Sequence, residues 1–141
     1  MSGSTEDKKQ LEKQLRSACE YDEIEKVQKL LHDGVDPNSS DERSGYYLFE
    51  KTPLIKAAQW GNLAIVKLLV DEFGATINHQ SLIGTALHWA TYNGHFEVMK
   101  FLLSKGADKT LTNKDGQTAE EIARNRGIKE EILNYLRDYS Q

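Results

Sequence analysis

The residues of this chain best suited to chemistry are one cysteine, Cys19, and four histidines, His32, His79, His88 and His95. A thiolate beside an imidazole is a nucleophile, and cysteines and histidines at short fixed spacings hold zinc. The histidines fall in different predicted elements, and none is spaced with the cysteine as a zinc site requires. No glycine-rich phosphate loop follows a strand pattern. No catalytic, cofactor-binding or metal site is therefore assigned, and the chain is expected not to be an enzyme. With a single cysteine it can form no intrachain disulfide.

The elements that carry these residues are set by a repeat. Sliding the sequence by 33 residues puts Thr52-Pro53-Leu54 under Thr85-Ala86-Leu87, Gly61 under Gly94, and Leu68-Leu69 under Phe101-Leu102. A fixed period of this length marks stacked units, each too small to bury its apolar face alone. An earlier copy follows from matching Gly34 to Gly106, which aligns Ile24 with Phe96 and Val27 with Met99. A later copy starts at Thr118-Ala119 and needs a one-residue slip after Gly127. In this register Cys19 shares its position with Ala58 and Thr91, a small site facing neighbouring helices, so it reads as packing.

Departures from the period locate the irregular parts. Repeat two carries one extra residue near Phe73 and one fewer before Thr85, so the hairpin around Ser81-Leu82-Ile83-Gly84 is expected to be irregular. Between Gly34 and Thr52 there are 18 positions against 12 between Gly106 and Thr118, which makes residues 39–51 a lengthened hairpin. Asp115-Gly116 lies between repeats and predicts a two-residue hairpin turn. Asn93-Gly94 lies between helical patterns, where glycine ends a helix. Ser4 with Asp7 three residues on predicts a capping box for the first helix.

The repeated Thr-Pro-Leu and Thr-Ala-Leu-His runs resemble the ankyrin repeat, from about Lys13 to Leu136. The resemblance implies an all-α solenoid of four helix-turn-helix repeats joined by β-turn or hairpin loops. The division expected is a flexible start over residues 1–5, an N-terminal capping repeat at 6–38, the long hairpin at 39–51, repeats at 52–84 and 85–117, and a C-terminal capping repeat at 118–141. Lys26 and Lys29 replace apolar residues of the internal copies, as do Glu120 and Arg137 in the last, and such polar substitutions suit end repeats that no neighbour covers. The family pattern also implies that Thr85 and His88 bond to each other, and that Ile55 and Glu121 lose that bond at the matching positions of repeats two and four.

In this family partner contacts tend to come from hairpin tips and from the two variable positions before the glycine that ends each first helix. Those positions match Glu20 and Tyr21, Gln59 and Trp60, Tyr92 and Asn93, and Asn125 and Arg126. Tyr21, Trp60 and Tyr92 would form an aromatic ladder along a concave face, joined by Arg126, and Trp, Tyr and Arg are enriched in interface hot spots. Tyr46, Tyr47 and Phe49 on the long hairpin, with Leu82 and Ile83 on the next, would extend the groove.

Composition supports this class of function. The formal charge is −4, and the excess lies in residues 1–51, with 8 Lys/Arg against 12 Asp/Glu; residues 52–141 hold 10 of each. No basic stripe suited to phosphates is present, so no nucleic-acid partner is expected. The polar start and the lack of a long apolar run predict no signal peptide and no membrane insertion. The chain is expected in the cytoplasm, with the nucleus as the other compartment, and monomeric when free. Its expected function is to bind a partner protein through the concave aromatic face and hairpin tips. The alternative is a regulatory inhibitor or assembly chaperone masking a functional surface of its partner, because the run Leu102-Leu103-Ser104-Lys105-Gly106-Ala107-Asp108-Lys109-Thr110 resembles the small single-domain ankyrin inhibitors.

Overall fold

The computed structural model describes residues 4–40, 51–81 and 83–140. Four helix pairs follow one another: α1 (Thr5–Glu20) with α2 (Ile24–His32), α3 (Pro53–Gln59) with α4 (Leu63–Lys67), α5 (Ala86–Tyr92) with α6 (Phe96–Ser104), and α7 (Ala119–Asn125) with α8 (Glu130–Asp138). This is the all-α repeat solenoid that the resemblance implies. Among the described residues no extended strand forms, and Ser81 and Gly84 make an isolated antiparallel bridge.

The first helices of repeats two to four begin for one local reason. Thr52, Thr85 and Thr118 hold extended backbone, and their hydroxyls accept the N–H groups of Ile55, His88 and Glu121. Each cap satisfies a donor that a helix start leaves open. Ser4 caps α1 in the same way, and the Asp7 carboxylate returns the bond to the Ser4 N–H, so the expected capping box is present. These helices end where Gly61, Gly94 and Gly127 take positive φ; in the first repeat Asp22 takes that role, with φ 60°.

The extra residue of repeat two is absorbed inside a helix. Directly after α4 the chain runs on as a π-helix, Leu68–Glu72, and the Ala75 N–H donates to the Leu69 carbonyl, whereas Ala107 in repeat three reaches Leu102, one residue nearer in sequence. A wider turn holds one more residue without a loop. The slip after Gly127 is visible too: Ile128 and Lys129 precede α8 outside the helix.

Packing follows the register. The first helices form one row, α1 on α3, α3 on α5 and α5 on α7, and the second helices another, α2 on α4 and α4 on α6. Ala18, Ala57, Ala90 and Ala123 are all buried at the same repeat position, which lets neighbouring backbones approach. Leu30, Leu69, Leu102 and Leu136 fill the matching place in the second row. Burying each such leucine contributes roughly 1.5–3 kcal/mol.

Polar side chains cross the junctions. The Asn62 amide donates to the carbonyls of Cys19 at 2.8 Å and Glu20 at 3.2 Å, and His95 Nε2 lies 3.0 Å from the Gln59 carbonyl. Asn38 accepts the Thr76 N–H at 2.8 Å, and Asn78 accepts the Asp108 N–H at 2.9 Å, tying one hairpin to the next.

Two local expectations are corrected. Asp115-Gly116 is not a two-residue turn: the Gly116 N–H donates to the Asn113 carbonyl and only Gly116 has positive φ, so Lys114, Asp115 and Gly116 form a three-residue loop closed by Asn113 and Gln117. The cause is Asn113, whose side chain accepts the N–H groups of both Asp115 and Gln117. Nor does repeat four lose its side-chain bond: the Thr118 hydroxyl donates to the Glu121 carboxylate at 3.2 Å, because a carboxylate accepts there as an imidazole nitrogen would.

Candidate partner-binding face

The ends of the first helices set out the candidate residues in sequence order. Tyr21, Trp60, Asn93 and Arg126 are the C-cap residues of α1, α3, α5 and α7, and Glu20, Gln59, Tyr92 and Asn125 each precede a cap. Tyr92 is thus one position out of register with Tyr21 and Trp60, so the ladder is staggered at its third rung. Tyr21 is 70% exposed, Trp60 54% and Tyr92 38%, large values for aromatic side chains. Neither Tyr21 nor Trp60 makes a ring contact with another described residue. They stand apart and are not stacked.

Around Tyr92 the predicted residues do come together. The Arg126 guanidinium lies over its ring, 3.6 Å from the centroid, and Trp89 meets it edge to face at 6.2 Å. Ile83 is half-buried and lines a cavity of about 360 Å³ with Trp89, Tyr92 and Arg126. Tyr46, Tyr47, Phe49 and Leu82 lie outside the described residues.

Other candidates are engaged by their own fold. The Glu20 carboxylate lies 3.7 Å from the Lys56 ammonium. Gln59 accepts from Lys51 through its side chain, while its carbonyl accepts from the Asn93 amide at 2.9 Å. Asn93 is exposed, but that bond fixes it to the preceding repeat. Asn125 is exposed at the end of α7.

Residues absent from the sequence reading complete the face. Trp89 is 8% exposed, and its indole N–H is buried without an acceptor. The repeat places Lys56 and Ile122 at the equivalent positions, so the tryptophan was visible as a departure. Arg16 holds in repeat one the place of His88, is buried, and donates to the Ser39 hydroxyl at 3.0 Å.

Two of the residues that could do chemistry, His88 and Cys19, are committed to structure. His88 Nδ1 accepts the Thr85 N–H at 3.0 Å, so the ring proton sits on Nε2 and is donated to the Gln117 carbonyl at 3.1 Å. Burial lowers the His88 pKa from its ordinary 6.5, against the opposing pull of backbone bonds to Gln117 and Leu111. Cys19 is fully buried, and burial pushes its thiol up to about 12. Among the described residues no cluster of His, Cys, Asp or Glu could hold a metal ion, and no helix is long and apolar enough to cross a membrane.

Helix pairs stacked on a buried alanine row, with variable side chains set out at the helix ends, define a repeat solenoid built for recognition. A family model of tandem ankyrin repeats matches residues 15–113 and 74–140. The chain belongs to the ankyrin repeat family.

Curated relatives agree with that assignment. The chain is 46% identical over 72 residues to the rat ankyrin repeat and SAM domain-containing protein 6, covering 50% of this chain and 8% of that protein. It is 30% identical over 135 residues to the Caenorhabditis elegans ankyrin repeat and KH domain-containing protein mask-1, covering 94% of this chain and 5% of that protein. It is 40% identical over 68 residues to the NAD-capped RNA hydrolase NUDT12 of Macaca fascicularis, covering 48% of this chain and 15% of that protein. The chain thus spans only a small part of each relative. Ankyrin repeats generally mediate protein–protein interaction, and their all-helical fold is typically non-catalytic.

Proposed function

We propose that this chain is a protein–protein interaction module that binds a partner through the concave face bearing Tyr21, Trp60, Tyr92 and Arg126. The observation that carries the reading is the exposure of Trp60 at the C-cap of α3, 54%, in a chain whose other tryptophan is buried. An indole held in water by a rigid helix end loses little side-chain entropy on binding and offers a large apolar surface. Tyr21 supports it from the same position of the preceding repeat. A reading as recognition is supported by the buried Cys19 and the doubly bonded His88, neither of which offers a free reactive atom.

The test is affinity capture from lysate with the wild-type chain beside a Tyr21→Ala/Trp60→Ala/Tyr92→Ala variant, after circular dichroism has shown equal folding. Loss of a specific band in the variant supports this face as the site. Retention of the same partner rejects it. Whether the partner's activity falls when it is bound separates an inhibitor from an adaptor.

A further inference from the structure

We infer that the cavity between repeats three and four is a carboxylate subsite, which takes an Asp or Glu side chain from an acidic segment of the partner protein. The inference rests on the proposed recognition face and names the chemistry of one end of it.

An aromatic wall is the first observation. Trp89 lines the cavity, and its ring meets Tyr92 edge to face at 6.2 Å, so the two rings build one side of a fixed pocket.

Charge is the second. Arg126 lines the same cavity, its guanidinium held over the Tyr92 ring at 3.6 Å, and it makes no ion pair among the described residues. A guanidinium stacked on a ring keeps its N–H edge available, and that planar edge matches the two oxygens of a carboxylate. Lys114 and Asp115 also line the cavity. Among the described lining residues the balance is positive, in a chain whose formal charge is −4.

Shape is the third. Ile83, Tyr92 and Ile122 give the cavity apolar walls, and its volume of about 360 Å³ accommodates a side chain with part of its backbone. His88, also in the wall, does not compete for the ligand, since both its ring nitrogens are bonded internally. An acidic residue flanked by apolar ones is the peptide that fits.

The test uses the full chain and a phage-displayed library of random dodecapeptides, whose fusion leaves no free C-terminal carboxylate. Selected peptides are synthesised with a fluorescent label and titrated by anisotropy against wild type, Arg126→Gln, Trp89→Phe and Trp60→Ala. Circular dichroism checks each fold, and Arg126 is exposed, so its substitution leaves the core untouched. The expected result is a shared Asp or Glu whose change to the amide weakens binding about tenfold in wild type and hardly at all in Arg126→Gln.

Selected peptides without a carboxylate, a library that yields no binder, or an equal loss in wild type and Arg126→Gln would overturn the subsite. If Trp60→Ala weakens every peptide while Arg126→Gln and Trp89→Phe weaken none, the recognition face stands and the subsite falls. If all variants bind alike, both fall.

Discussion

The guanidinium of Arg126 rests 3.6 Å from the centre of the Tyr92 ring, joining the C-cap of α7 to the last residue of α5 across a repeat boundary. The stack fixes the direction of a long side chain that would otherwise sample many rotamers in water. Cation–π contacts of this kind contribute roughly 0.5–1 kcal/mol at exposed sites. Positioning matters more here than stability.

His88 gives the fold a pH dependence of known sign. Burial holds its pKa below the ordinary 6.5, so the unfolded chain binds the proton more readily than the folded one. Its contribution is complete above 6.5 and is lost as the pH falls from there through the lowered folded value. Thermal melts of wild type should therefore weaken over that interval more steeply than those of His88→Gln. The substitution itself should cost about 1–3 kcal/mol at neutral pH, because the Gln117 carbonyl and the Thr85 N–H lose their partner. Equal slopes would remove His88 as the source.

Gly61 and Gly94 share a repeat position but should respond differently to alanine. Both have φ of 72°, where a Cβ costs about 1–2 kcal/mol. A Cβ at Gly61 would also meet the His95 ring at 2.6 Å, whereas nothing lies within 4 Å at Gly94. Urea titration should show Gly61→Ala as the more destabilising by roughly 1–3 kcal/mol. A double variant carrying His95→Ala should remove much of the difference.

The Asn62 amide bridges the first two repeats by donating to the carbonyls of Cys19 and Glu20. Asn62→Ala should cost about 1–2 kcal/mol in chemical denaturation, and Asn62→Asp more, since a carboxylate would face two carbonyl oxygens with no proton to give. An aspartate variant as stable as wild type would mean that the bridge contributes nothing.

Cys19 should be silent toward thiol reagents. With the thiol pushed up to about 12 and fully buried, the native chain has almost no thiolate at about pH 8. Labelling by an aromatic disulfide should be absent in buffer and stoichiometric in denaturant. Prompt labelling of the native chain would mean that α1 opens readily.

The fold was legible because the signals return at fixed spacing: an alanine at the helix contact in all four units, and a threonine cap with a glycine stop in repeats two to four. The period also reveals the surplus residue of repeat two, which the structure takes up in the π-helix Leu68–Glu72. The bonds across junctions were not legible. Asn62 finds its acceptors 42 and 43 residues earlier, a relation that only stacking creates. The stagger of Tyr92 against Tyr21 and Trp60 is not legible from a pair of variable positions per repeat, since a single residue on a helix end turns the side chain through about 100°. The helix pattern around Trp89 says core, and only the folded chain reveals that the ring fills a cavity wall while its N–H finds no acceptor among the described residues.

Lys109 reaches from the third repeat to the carbonyls of Leu136 and Tyr139 at the far end of α8. The final helix has nine residues, too few to persist alone in water. Its closing cap is supplied by a side chain of the preceding repeat. The end of the array is therefore borrowed in part from its neighbour, and a lysine two helices away holds the last turn shut.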